Sequence, residues 1–168
     1  FDSIEHLEEI MLPSTIKEVQ NEVIVKCNKL ERLIIPDSIE IMHRNSIKSC
    51  DKLKSIKCKR QLLKYIPKNQ IVELIMTHVE KKLKQDDFKG FDNLISLTLP
   101  SNVNELPKEI FKEGYCPQLE ELSCSSELLN SLTQEQRNKL KTIHFPYEKE
   151  ITKDIVNNLQ NIYDIKVA

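Results

Sequence analysis

The sequence predicts an α/β repeat solenoid, with one short parallel β-strand per rung and helical or irregular return segments. Three observations carry this. An apolar landmark recurs in eight copies, a second apolar column precedes it in the same frame, and proline follows the landmark in four of the copies.

The landmark is an apolar residue, two variable ones, a second apolar, one variable and a third apolar. Leu7, Ile10 and Leu12 form the first copy, followed by Pro13. Leu30, Leu33 and Ile35, followed by Pro36, form the second, and Leu53, Ile56 and Cys58 the third, at intervals of 23 residues. Ile71, Leu74 and Met76 come next, then Leu94, Leu97 and Leu99 with Pro100. Leu119, Leu122 and Cys124 lead to Leu140, Ile143 and Phe145 with Pro146, and Ile162, Ile165 and Val167 close the series. The later intervals are 18, 23, 25, 21 and 22 residues.

Three positions upstream of most landmarks stands Ile4, Cys27, Cys50, Phe91, Cys116 or Leu159. A further apolar column holds Phe1, Ile24, Ile47, Phe88 and Val156. The frame departs in rung four, over residues 61–70, and in rung seven, where Gln134 and Arg137 fill apolar slots.

Each landmark alternates, so its apolar side chains share one face of an extended segment. A single rung cannot bury that face, so rungs stack and share a core. Proline after the strand removes a donor and ends pairing there. Among the returns, residues 105–112, 126–140 and 149–160 read as helical. The second restarts at Thr133, a capping residue, while the shorter returns 14–25 and 37–47 read as extended or irregular.

Leu30-x-x-Leu33-x-Ile35-Pro36-x-Ser38-Ile39 after Cys27, and Leu94-x-x-Leu97-x-Leu99-Pro100-Ser101-Asn102-Val103 after Phe88 and Phe91, resemble the leucine-rich repeat of the BspA-like type. The resemblance covers nearly the whole chain and implies a leucine-rich-repeat-like solenoid. It also implies a non-catalytic interaction protein, of a kind found on bacterial surfaces and in parasitic protists, with no shared catalytic residues. The expected organisation is a single array over residues 1–168. Because the chain opens in mid-repeat, it is expected to be a piece of a longer protein.

Composition narrows the function. With 25 basic and 26 acidic residues the net charge is −1, and the cations are dispersed, which disfavours nucleic acid as a partner. No apolar run approaches the roughly 18 residues that span a bilayer, so membrane insertion is not expected. The opening residues hold no charged-then-apolar stretch, so no leader segment is expected there. Gly90 and Gly114 are the sole glycines, which excludes glycine-rich phosphate loops.

The five cysteines fall in repeat slots, so packing explains their spacing better than zinc, which favours tighter pairs. No metal and no cofactor are expected. Their odd number and the lack of an Asn-x-Ser/Thr site point to reduced thiols and a cytoplasmic setting, with the cell surface as the alternative. Cys27 and Cys50 stack on adjacent rungs, where one oxidised pair is allowed. His6, His43, His78 and His144 lie in different rungs, so no nucleophile–base pair is expected and the chain is not read as an enzyme. Lys57, Lys59, Arg60, Lys64, Lys81, Lys82 and Lys84 are interleaved with acids and read as a solvated face. Leu128, Leu129 and Leu132 are expected to pack onto their own rung.

Residues between landmark positions point to the sheet's outer, concave side. One column is Glu9, Arg32, Ser55, Glu73, Ser96, Glu121, Thr142 and Asp164; the other is Met11, Ile34, Lys57, Ile75, Thr98, Ser123, His144 and Lys166. Met11, Ile34 and Ile75 are apolar where water would favour polar groups, a mark of interaction surfaces. Glu9, Met11, Arg32, Ile34, Lys57, Glu73 and Ile75 are the candidate partner-binding residues. The patch centres on Glu8, Glu9, Met11, Glu31, Arg32 and Ile34. The reading that follows is a scaffold binding a protein partner on this face. The alternatives are a structural or adhesive surface element, and the regulatory repeat region of a larger signalling enzyme.

Overall fold

A computed structural model of the chain describes residues 1–150, 152–157, 159 and 164–167. Its strands are β1 (Glu9–Met11), β2 (Glu18–Val19), β3 (Ile24–Val25), β4 (Arg32–Ile34), β5 (Ile41–Met42), β6 (Ile47–Lys48), β7 (Ser55–Cys58), β8 (Glu73–Met76), β9 (Ser96–Thr98), β10 (Glu121–Ser123), β11 (Thr142–Phe145) and β12 (Asp164–Val167). One strand per rung builds an eight-stranded parallel sheet in the order β1-β4-β7-β8-β9-β10-β11-β12. This is the predicted solenoid. Register follows the landmark: Ile10 pairs with Leu33, Leu33 with Ile56, Ile56 with Leu74 and Leu74 with Leu97.

The packing follows from that register. Side chains alternate across a strand, so in-register stacking brings every landmark residue to one interior. From Ile10 to Phe145 the landmark side chains are all buried, in one continuous core. Each fully buried aliphatic side chain contributes about 1.5–3 kcal/mol. The first rung is covered less. Leu7 is half-buried, while Ile4 and Phe1 are exposed, because a buried slot needs a neighbour on both sides. Ile162, the landmark expected to open the eighth rung, lies outside the described residues.

The returns divide the array in two. In the first two rungs they are extended, as expected: β2 pairs with β5 and β3 with β6, both in parallel. Val19, Met42, Ile24 and Ile47 face inward from these short strands. The chain leaves β3 and β6 through left-handed residues, Lys26 and Ser49, with φ of 51° and 54°, and Ser3, just after the Asp2 bridge to Val25, shares that conformation with φ of 53°. That conformation strains any side-chain-bearing residue by roughly 1–2 kcal/mol. Lys26→Gly is therefore expected to leave stability unchanged or raise it by up to about 1 kcal/mol, and Lys26→Val to lower it by about 1–2 kcal/mol. Urea unfolding midpoints of the two variants check this, and equal midpoints would remove the backbone explanation.

Farther along, the returns become helical in part. A helix expected over residues 105–112 does not form; the segment is a run of turns anchored by buried Leu106 and Ile110. Its bonds are single reverse turns, Ile110 N donating to Pro107 O at 3.2 Å and Lys112 N to Glu109 O at 3.0 Å. Pro107 has no N–H to give to a preceding turn. The two glycines serve this region with φ near +85°, and Gly90 N donates to Gly114 O at 3.0 Å. Residues 126–140 do fold as helix, in two pieces, α1 (Ser126–Leu129) and α2 (Gln134–Lys139). Leu128, Leu129 and Leu132 are buried on their own rung, as expected. Thr133 caps α2: its hydroxyl accepts from Gln136 N while its own N–H donates to the Gln136 side chain. The last return holds α3 (Lys153–Asn157), shorter than the expected helix over 149–160, of which residues 151, 158 and 160 lie outside the described residues.

Candidate partner-binding face

The sheet's outward face is the ladder seen from the other side. Register aligns Glu9, Arg32, Ser55, Glu73, Ser96, Glu121 and Thr142 in one row, and Met11, Ile34, Lys57, Ile75, Thr98, Ser123 and His144 in the next. The register therefore aligns the two predicted columns as rows, with Ser55 buried within the first. Asp164 and Lys166 continue the pairing at the backbone.

The candidate residues are not alike in exposure. Met11 is 65% exposed, while Ile34 and Ile75 are half-buried between their neighbours and separated by exposed Lys57. The apolar column is thus broken at rung three. Arg32 and Glu9 form an ion pair at 3.6 Å, open to solvent on both sides. Such a pair contributes little to folding and leaves both groups available to another surface. Glu73 accepts a hydrogen bond from the hydroxyl of Ser55, which is buried beside it. Glu73 is engaged within the sheet, which makes it a weaker contact point than Glu9.

Glu8, Glu9, Glu31, Arg32, Lys54 and Ser55 line a cleft of about 280 Å³ at the entrance to the first three strands. Its floor is main chain: Glu8 O accepts from Glu31 N and Arg32 N, and Glu31 O from Lys54 N and Ser55 N. The carboxylates project from a fixed ladder. Among the described residues, neither Glu8 nor Glu31 has a basic group within ion-pairing distance. The cleft brings together Glu8, Glu9, Glu31 and Arg32 of the expected patch, while Met11 and Ile34, paired across β1 and β4, lie outside its lining. Sequence reasoning missed Lys54, which stands in the same repeat slot as Glu8 and Glu31. It also missed Ile95, 39% exposed just before β9. Tyr147, 48% exposed, donates its hydroxyl to Leu99 O two rungs back at 2.9 Å.

The groups that suggest chemistry are scattered or inert. All five cysteines are buried free thiols. Burial pushes the thiols of Cys58, Cys116 and Cys124 up to about 12, far from the thiolate form that reacts or binds metal. Among the described residues, no three His, Cys, Asp or Glu side chains are grouped to hold a metal ion. His43 pairs with Glu18 at 3.0 Å on the return side, and His78 lies 4.0 Å from Glu80. No described helix is long and apolar enough to cross a membrane.

A family model described as BspA type leucine rich repeat region, in six copies, matches residues 1–80 and 68–168. No curated protein matches the chain significantly. Similar solved structures include a leucine-rich repeat protein from Bacteroides ovatus, 16% identical over 97% of this chain and 43% of that one, with a TM-score of 0.46. The pneumococcal vaccine antigen PcpA is 22% identical over 99% of this chain and 42% of its own, with a TM-score of 0.43. The leucine-rich repeat protein of T. pallidum is 18% identical over 95% of this chain and 69% of its own, with a TM-score of 0.37. The chain spans less than half the length of the first of these.

Proposed function

The chain belongs to the BspA-type leucine-rich repeat family, and from that premise we propose that it is a non-catalytic scaffold holding a protein partner on the outward face of its sheet. The observation that carries the reading is Met11, largely exposed beside a cleft of about 280 Å³ whose wall bears Glu8, Glu9 and Glu31. An exposed apolar anchor rimmed by charge is the usual anatomy of a protein contact. Glu9, Met11, Arg32 and Ile34 form the centre of the site, with Lys57, Glu73 and Ile75 extending it toward rung four.

The setting belongs to the same proposal. Packing in the repeat core accounts for all five buried cysteines, so their odd count gives no reason to place the chain in the cytosol. The family resemblance favours the cell surface.

Affinity purification with the parent chain and a Met11→Arg, Ile34→Arg variant tests the site, with circular dichroism confirming that both fold. The expected result is a partner enriched by the parent and weakened tenfold or more in the variant. Equal enrichment would move the site off the early rungs, and enrichment by neither would remove the scaffold reading. Surface labelling of intact cells in the same experiment decides the setting.

A further inference from the structure

Cys27 and Cys50 occupy the same slot in rungs two and three. Parallel pairing of β3 with β6 sets Ile24 against Ile47 and Val25 against Lys48. Lys26 N then donates to Lys48 O at 3.0 Å, carrying the ladder on to the cysteines. Each thiol donates to the carbonyl two residues before it, Cys27 to Val25 O and Cys50 to Lys48 O, both at 3.5 Å. The two side chains therefore leave equivalent backbone positions in the same direction. Adjacent parallel strands lie about 4.8 Å apart, inside the window of roughly 4.4–6.8 Å between Cα atoms that a disulfide needs. Cys50 Sγ also reaches across to the neighbouring rung, donating to Ile24 O at 3.7 Å.

No other cysteine has this arrangement. Cys58 stands opposite Met76 in the register and follows Ile35 in its slot, and Cys124 lies between the Leu99 and Phe145 positions. Cys116 follows Phe91 in its slot and precedes Arg137.

We infer that Cys27 and Cys50 form an oxidative cross-linking site, closed by a low-molecular-weight disulfide and reopened by thiol. The thiolate of one cysteine attacks the small disulfide and expels one of its halves as thiol. The second cysteine then displaces the other half. Two protein thiols and one small disulfide thus become one protein disulfide and two small thiols. Both cysteines are almost fully buried, so exchange proceeds through local opening of the early rungs. The closed bond staples rung two to rung three around the segment that carries Ile34.

The test is incubation of the full chain with oxidised glutathione, followed by unreduced digestion and mass spectrometry. The expected product joins the peptides containing residues 27 and 50, leaves Cys58, Cys116 and Cys124 free, and raises the thermal midpoint by roughly several degrees, reversibly with reductant. Cys27→Ser and Cys50→Ser, each checked for native circular dichroism, should both lose the cross-link and the midpoint shift. Five free thiols after an exposure that oxidises the urea-unfolded chain would overturn the inference. So would a cross-link between any other pair of cysteines.

Discussion

Replacing Phe91 by alanine is expected to destabilise the array by about 3–5 kcal/mol, the range for emptying a large aromatic core slot. Phe91 is fully buried, as is Phe88 three residues before it. Its ring also supports the Lys68 ammonium, 5.1 Å from the ring centroid, which burial holds below the ordinary lysine range. The neighbouring rungs cannot collapse into the gap, because their own spacing is fixed by the sheet ladder on the other side. Phe91→Leu, which keeps most of the volume, should lose only about 1–1.5 kcal/mol. Denaturant unfolding of both variants measures the difference. Stability in a solenoid is a sum of near-neighbour terms, so hydrogen exchange in Phe91→Ala should rise around β8, β9 and β10 and stay near parental values in β1 and β4. A loss under about 1 kcal/mol would mean that this slot does not belong to the shared core.

That prediction could be made from the sequence, since Phe91 fills the slot held by Cys27, Cys50 and Cys116. Strand positions and the outward rows were readable for the same reason: alternation is a local property that one landmark repeats eight times. The returns were harder. Residues 105–112 contain good helix formers, yet Pro107 disfavours the α region at Leu106 and has no N–H to donate. What forms is single turns, Ile110 N to Pro107 O and Lys112 N to Glu109 O. The left-handed residues were hidden because Ser3, Lys26 and Ser49 carry no glycine to announce them. The candidate site was only partly visible. The sequence showed which residues face outward, but the half-burial of Ile34 and Ile75 and the engagement of Glu73 by Ser55 depend on what stands beside them.

In rung seven Gln134, expected in an apolar slot, is exposed instead, and the polar side chains that enter the interior are Arg137 and Gln136. Arg137 donates through Nη2 to Leu129 O at 2.8 Å, and buried Gln136 reaches Pro107 O and Lys108 O at 3.2 and 3.3 Å. These side chains bond the main-chain carbonyls of other turns, which a purely apolar slot would leave unsatisfied.

Rung four solves the opposite problem, too few residues, and its solution rests on Asp87. Only 18 residues separate its landmark from the one before. The chain fits by winding two 3-10 helices, Arg60–Tyr65 and Lys68–Gln70, which bury Leu62 and Leu63. Asp87, on the next return, accepts from Arg60 Nε and from Lys84 N, both at 2.7 Å, while its main-chain oxygen accepts from Lys68 Nζ at 2.8 Å. One residue thus ties both short helices to rung five. The Arg60–Asp87 pair is shielded, with side-chain exposures of 15% and 17%, unlike the open pairs elsewhere on the surface. Asp87→Ala leaves a shielded guanidinium without its counter-charge and frees the Lys84 N–H. The expected loss is about 2–3 kcal/mol, discounted from the fully buried case for the remaining solvent contact. Arg60→Ala should lose less, since a carboxylate with a backbone donor still has one partner. Combining the two should show a coupling energy of at least about 1 kcal/mol in a double-mutant cycle. A coupling near zero would place the pair among ordinary surface ion pairs and shift the stability of rung four onto Leu62 and Leu63 alone.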